Sequence, residues 1–143
     1  MNDYSLAKVQ SIIIVLTKVK RMAKKYIVGD WVKFLFEESK VIEVYEDGSY
    51  SMDSPNITGC PKEEELSPIP LVPAILEKNG WKKEKYGIVY SKKVSETLYF
   101  RLIGKSYGWT LRCGNLDLIK KVEFVHEVQH LLFGLGLNSE MEV

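Results

Sequence analysis

The segment His126-Glu127-Val128-Gln129-His130 has the pattern H-E-x-x-H, and these are the only two histidines in the chain. On a helix, residues four apart share a face, so both imidazoles could hold one zinc ion while Glu127 activates its water. A catalytic zinc site needs a third protein ligand and an open position. After His130 the only candidates are Glu140 and Glu142, in a terminal tail. The longer zinc-protease pattern requires a glycine where Phe133 stands; Gly134 comes one place late. The competing reading is structural: a helix face whose imidazoles meet solvent or hydrogen-bond to Glu123 or Glu127. We adopt it, with no catalytic residue, no cofactor and no metal. The zinc hydrolase stays as the alternative, with Glu127 as base and His126, His130 and Glu140 as ligands.

Other chemistry-bearing residues are sparser. Cys60 and Cys113 form neither a disulfide framework nor a cysteine-rich metal site, and they fit a reducing cytoplasm. Cys113 reads as a small buried hydrophobe, and Cys60 as exposed in a proline-rich loop. Gly104-Lys105-Ser106 lacks the spacing of a phosphate-binding loop. Lys82, Lys83, Lys92, Lys93 and Arg101 alternate with Tyr86, Tyr90 and Tyr99. Such a rim suits single-stranded nucleic acid, or is simply the charged face of a half-buried sheet. Trp31, Trp81 and Trp109 read as core.

The elements that would hold these residues follow from pattern. The 143 residues carry 20 basic and 19 acidic side chains, a formal charge of +1, which excludes bulk attraction to nucleic acid or anionic membrane. Ser11–Thr17 is apolar but too short to span a bilayer. Met22-Ala23-Lys24-Lys25 reads as a start, which makes residues 1–21 a helical N-terminal extension, and the basic cluster Lys18, Lys20, Arg21, Lys24 and Lys25 straddles its end. Residues 22–65 read as a small SH3-like β-barrel domain: Tyr26–Val28, Trp31–Phe36, Val41–Tyr45 and Tyr50–Met52, with a hairpin turn at Glu46-Asp47-Gly48-Ser49. Asp53 to Pro70, with its prolines and Glu63-Glu64-Glu65, is a connecting loop.

Residues 66–143 read as an α+β domain. Pro73 opens a helix that Asn79-Gly80 stops. A three-stranded antiparallel meander follows, over Trp81–Tyr90, Thr97–Ile103 and Trp109–Cys113. The last helix is placed at about Leu116–Phe133, capped by Asn115 or Asp117. Its stripe Phe124, Val125, Val128, Leu131, Leu132, Leu135 covers the meander, and the histidines point away from it.

Three landmarks carry a resemblance over roughly residues 26–143: Val28-Gly29-Asp30-Trp31-Val32, Ile69–Trp81, and Phe124–Phe133. Together they resemble a family of short uncharacterised proteins from gut anaerobic bacteria, their phages and mobile elements. The resemblance implies that residues 1–21 are an addition. Where Glu127 stands, those relatives tend to carry glutamine, which cannot act as a base. Where Val72 stands they prefer threonine, a better helix cap. The family brings no known activity.

The expectation is therefore a mostly β, α+β accessory protein of phage or mobile-element type, cytoplasmic and non-enzymatic. It acts by binding a macromolecule, protein ahead of nucleic acid, with no membrane span. Neither the partner's identity nor the oligomeric state is specified.

Overall fold

The computed structural model describes residues 25–143; the extension read at 1–21 and most of the basic cluster lie outside the described residues. The fold is mostly β, with two antiparallel sheets and short helices.

The first sheet has four strands: β1 (Trp31–Phe34), β2 (Glu37–Val44), β3 (Tyr50–Met52) and β4 (Leu66–Pro68), in the order β3-β2-β1-β4. The Glu46–Ser49 turn joins β2 to β3 as expected. Gly48 has φ 86°, and the Asp47 carboxylate accepts from the Ser49 backbone N–H. Two expectations change. Tyr26–Val28 is not a strand, because the chain turns at Val28-Gly29. The proline-rich stretch is not wholly loop: after a 3-10 turn at Glu63–Glu65 it supplies β4, which pairs with β1. A single bridge, Ser49 to Lys62, brings this segment beside β3, but the described sheet does not close into a barrel. Its core is small: Tyr26, Val32, Val41, Tyr50, Met52 and Leu66.

The second sheet has five strands rather than three. These are β5 (Lys82–Lys83), β6 (Val89–Lys93), β7 (Tyr99–Lys105), β8 (Gly108–Cys113) and β9 (Leu116–Val122), in sequential order. Helix α1 (Pro73–Lys78) precedes them, with Gly80 at φ 83° just beyond its end. The expected strand at 81–90 is divided in two around Gly87, φ 70°. Leu98, Phe100 and Leu102 are buried on one face, and Tyr99 is exposed on the other.

The last helix is the main correction. Leu116–Val122 is strand β9, paired with β8, and α2 spans only Val125–Gly134. A two-residue turn, Gly114-Asn115, reverses the chain into the ladder, so Asn115 and Asp117 cap nothing; Arg112 instead pairs with Asp117 across the strands. Along α2, Val125, Val128, Leu131 and Leu132 join the core of the second sheet as the stripe requires. Two bonds tie the start of α2 to the chain before α1, Leu71 N–H to Glu123 O and Val125 N–H to Ile69 O, and the Trp109 indole N–H of β8 donates to Leu71 O of the same segment.

Candidate functional site

The histidine-bearing side of α2 does not face water. His126 is 7% exposed and His130 is 8% exposed. The helix is buried on both sides: its apolar stripe packs on the second sheet, and its polar side meets the chain entering β1. His126, Gln129 and His130 fall at i, i+3 and i+4, one surface of the helix.

Each polar group on that surface has a defined contact. Nε2 of His130 and Oδ2 of Asp30 share a hydrogen bond of 2.5 Å, and the same oxygen accepts from the Ile27 backbone N–H. Asp30 is 1% exposed. Burial raises its carboxyl above the usual carboxylate range, against the lowering by the His130 bond and charge. Gln129 joins three segments. Its Oε1 accepts from Trp31 N–H, and its Nε2 donates to Gly29 O and Ser139 O. The Trp31 indole donates to Met141 O, which fastens the tail to the same place.

His126 stands among rings. It packs edge-on to Tyr26 (5.1 Å) and His130 (5.3 Å) and stacks on Phe124 (6.0 Å). Its Nδ1 and the Tyr26 hydroxyl are both buried without a hydrogen-bond partner among the described residues. Burial, then the charges of His130 and Lys25, push the His126 pKa from 6.5 down to about 3, so its imidazole is neutral. Burial, then the Glu63 carboxylate, pushes the Tyr26 and Tyr50 hydroxyls up to about 12.

Glu127 is turned to another task. Its Oε1 accepts from the backbone N–H groups of Glu123 and Phe124, at 3.0 and 2.9 Å. This is the reach-back half of a capping box, which satisfies donors at the start of α2. A carboxylate held there is not aimed at a water on the imidazoles. Glu140 is exposed on the tail. Among the described residues no three His, Cys, Asp or Glu side chains come together where they could hold a metal ion. The donors His126, His130 and Glu140 therefore do not fit a zinc centre. Asp30, the partner His130 does have, lies 100 residues away, and sequence spacing gave no signal for it.

The lysine–tyrosine rim is largely occupied. Arg101 is bidentate on Glu84, Lys93 pairs with Glu96, and the Lys92 ammonium donates to Asn79 O. Tyr90 is buried, with its hydroxyl on Glu77, while Tyr86 and Tyr99 are exposed. Trp81 and Trp109 are core, and Trp31 is half-buried against the same cluster. Both cysteines are free thiols. Cys60 is exposed as read, and Cys113 is half-buried, its thiol pKa raised by burial.

A different feature escaped the sequence reading. Phe34 pairs with Glu37 across the β1–β2 hairpin, so Leu35-Phe36 forms its two-residue turn. Leu35 is 74% exposed and Phe36 is 94% exposed. Leu35 has φ 56°, the one positive φ outside glycine among the described residues. A two-residue hairpin turn of this kind favours glycine, asparagine or aspartate. Two large apolar residues held in water, one of them in a conformation leucine resists, mark a local conflict of the sort found at binding sites. A sequence signal existed: Phe-Leu-Phe between two strand-like runs, with no turn residue.

Carboxylates predominate in the segments beside this tip, with Lys33 the cross-strand partner of Glu38. Glu38 follows the tip on β2, and Glu64 and Glu65 precede Leu66, which pairs with Phe34. All three are exposed. Comparison of the chain with protein-family models, with curated proteins and with solved structures finds no match.

Proposed function

We propose that this chain is a non-enzymatic accessory protein, of phage or mobile-element type, that acts by binding another protein. The observation that carries the reading is the Leu35-Phe36 turn, two large apolar side chains exposed on a strained hairpin tip. Aromatic side chains presented this way serve as anchors in interfaces. The acidic surround argues for protein over nucleic acid, since carboxylates repel phosphates. The four-stranded sheet is the SH3-like part of this reading, a scaffold for its own hairpin tip. Two free thiols suit a reducing cytoplasm. No helix among the described residues is long and apolar enough to cross a membrane.

The test is a selection of random peptides displayed on phage against the immobilised full chain, wild type and Phe36→Ser side by side. Recurrent apolar peptides that need Phe36 are expected. Peptides held equally by both proteins, or none at all, overturn the reading. A salt titration with single-stranded DNA gives the nucleic-acid outcome: affinity falling steeply with added salt would replace protein by nucleic acid.

A further inference from the structure

The second sheet carries an open groove of about 490 Å³ at the turn of its β7–β8 hairpin. Pro73, Ile88, Gly104, Lys105, Gly108 and Trp109 line it. Its lining is mostly apolar, with Pro73, Ile88, Trp109 and two glycines beside Ser106 and Lys105. Ile88 is 59% exposed. Gly104 is needed here, because a Cβ would stand 2.7 Å from the Ile88 methyl. Lys105 sits on the rim, exposed, with no ion pair among the described residues.

The molecule thus holds both halves of one contact. On one sheet an apolar tip stands among carboxylates; on the other an apolar groove carries a free lysine. We propose that the groove receives the Leu35-Phe36 tip of a second copy of this chain, with Lys105 facing Glu38 of the inserted hairpin and Glu64 of the turn before β4. This rests on reading the tip as a docking element and names its partner.

Size sets the strength. A buried phenylalanine covers roughly 150–250 Å². One tip in one groove stays well below the ~1,200 Å² of a stable interface, and a reciprocal pair of such contacts only approaches it. Association is therefore weak and reversible, with dissociation constants between ~1 µM and ~1 mM. Its charge pairing also makes it weaken with salt, whereas indiscriminate apolar clustering strengthens in excluded salts such as sulfate.

Sedimentation velocity of the full chain across that concentration range tests this. Phe36→Ser removes the plug and Ile88→Glu blocks the groove; both positions are exposed, and circular dichroism with thermal melting verifies each fold. The wild type should associate, and each variant alone should stay monomeric. Their mixture should form a heterodimer, because one supplies an intact groove and the other an intact tip. A wild type that is monomeric throughout overturns self-pairing but leaves Phe36-dependent peptide binding intact. Association that survives either substitution, or a mixture that stays monomeric, also overturns it. Loss of Phe36-dependent binding to any peptide is the separate failure of the docking reading.

Discussion

The polar face of α2 and the Leu35-Phe36 turn reverse the usual allocation of residues. His126, Gln129 and His130 are the residue types that do chemistry, yet they are buried between two sheets. Leu35 and Phe36 are the types that fill cores, yet water covers them. The difference teaches that residue type names a capacity and environment decides its use. A buried imidazole whose nitrogen is bonded to a carboxylate is a joint. An exposed phenylalanine on a strained turn is a contact awaiting a surface. The joint has a physical purpose: the first sheet has a small core and could hardly stand alone. Asp30, Gln129 and His130 couple it to the larger one.

The largest effect should come from breaking that coupling. Asp30→Ala leaves a buried His130 nitrogen without its acceptor and frees the Ile27 N–H. It should cost about 3–5 kcal/mol, the range for splitting a buried pair. Urea denaturation of Asp30→Ala, His130→Ala and the double variant gives the coupling directly. If each single variant loses less than about 1 kcal/mol, the polar face is not what joins the sheets.

The next effect depends on pH. The unfolded chain takes up the His126 proton near pH 6.5 and the folded chain near pH 3. Between those values the unfolded state binds more protons, so stability falls as pH drops through the window. By pH 4 the loss is roughly 3 kcal/mol. Asp30 opposes it: its raised carboxyl holds a proton in the fold where the unfolded chain has released one, so acid favours the fold at that residue. His126→Phe preserves the stack on Phe124 and removes only the imidazole term. Relative to wild type, the variant should therefore gain stability from pH 7 to pH 4. Parallel stability curves would show that His126 is not held neutral by burial.

Glu127 sharpens the same contrast, because the zinc and structural readings assign it different work. As a helix cap its loss to alanine should cost about 1 kcal/mol, and Glu127→Gln should recover most of this, since the amide oxygen still accepts from Glu123 and Phe124. The thermal midpoint should not move with a chelator. A chelator-sensitive midpoint that His126→Ala abolishes would restore the metal reading.

Much of the fold was legible because it depends on local pattern. The alternation Leu98, Phe100, Leu102, the stop at Asn79-Gly80 and the turn at Gly48 each need only their neighbours. Of the stripe Phe124, Val125, Val128, Leu131, Leu132 and Leu135, all but Phe124 pack on the second sheet's core; Phe124 stands at the N-cap and stacks on His126. Two things were not local. Leu116–Val122 reads as well in a helix as in a strand, and only its pairing with β8 decides. The fate of His130 and Gln129 depended on Asp30 and Gly29, about 100 residues away, and no helical wheel could supply a second burial surface. The sequence pattern placed the polar side opposite the apolar stripe but could not say whether water or protein lay beyond it.

The smallest effect is the most pointed. Leu35 adopts φ 56°, a left-handed conformation that costs an L-residue roughly 1–2 kcal/mol and glycine nothing. Glycine also widens the unfolded ensemble, which takes back roughly 0.5–1 kcal/mol. Because Leu35 is exposed, its removal sacrifices little packing. Leu35→Gly should therefore raise stability by about 0.5 kcal/mol, a shift of some 1–3 °C in midpoint for a chain of this size, while weakening association through the tip. A residue whose replacement improves the fold and impairs contact is kept for the contact. If Leu35→Gly instead lowers the midpoint, leucine at the turn is holding the hairpin together, and the tip loses its claim to be a docking element.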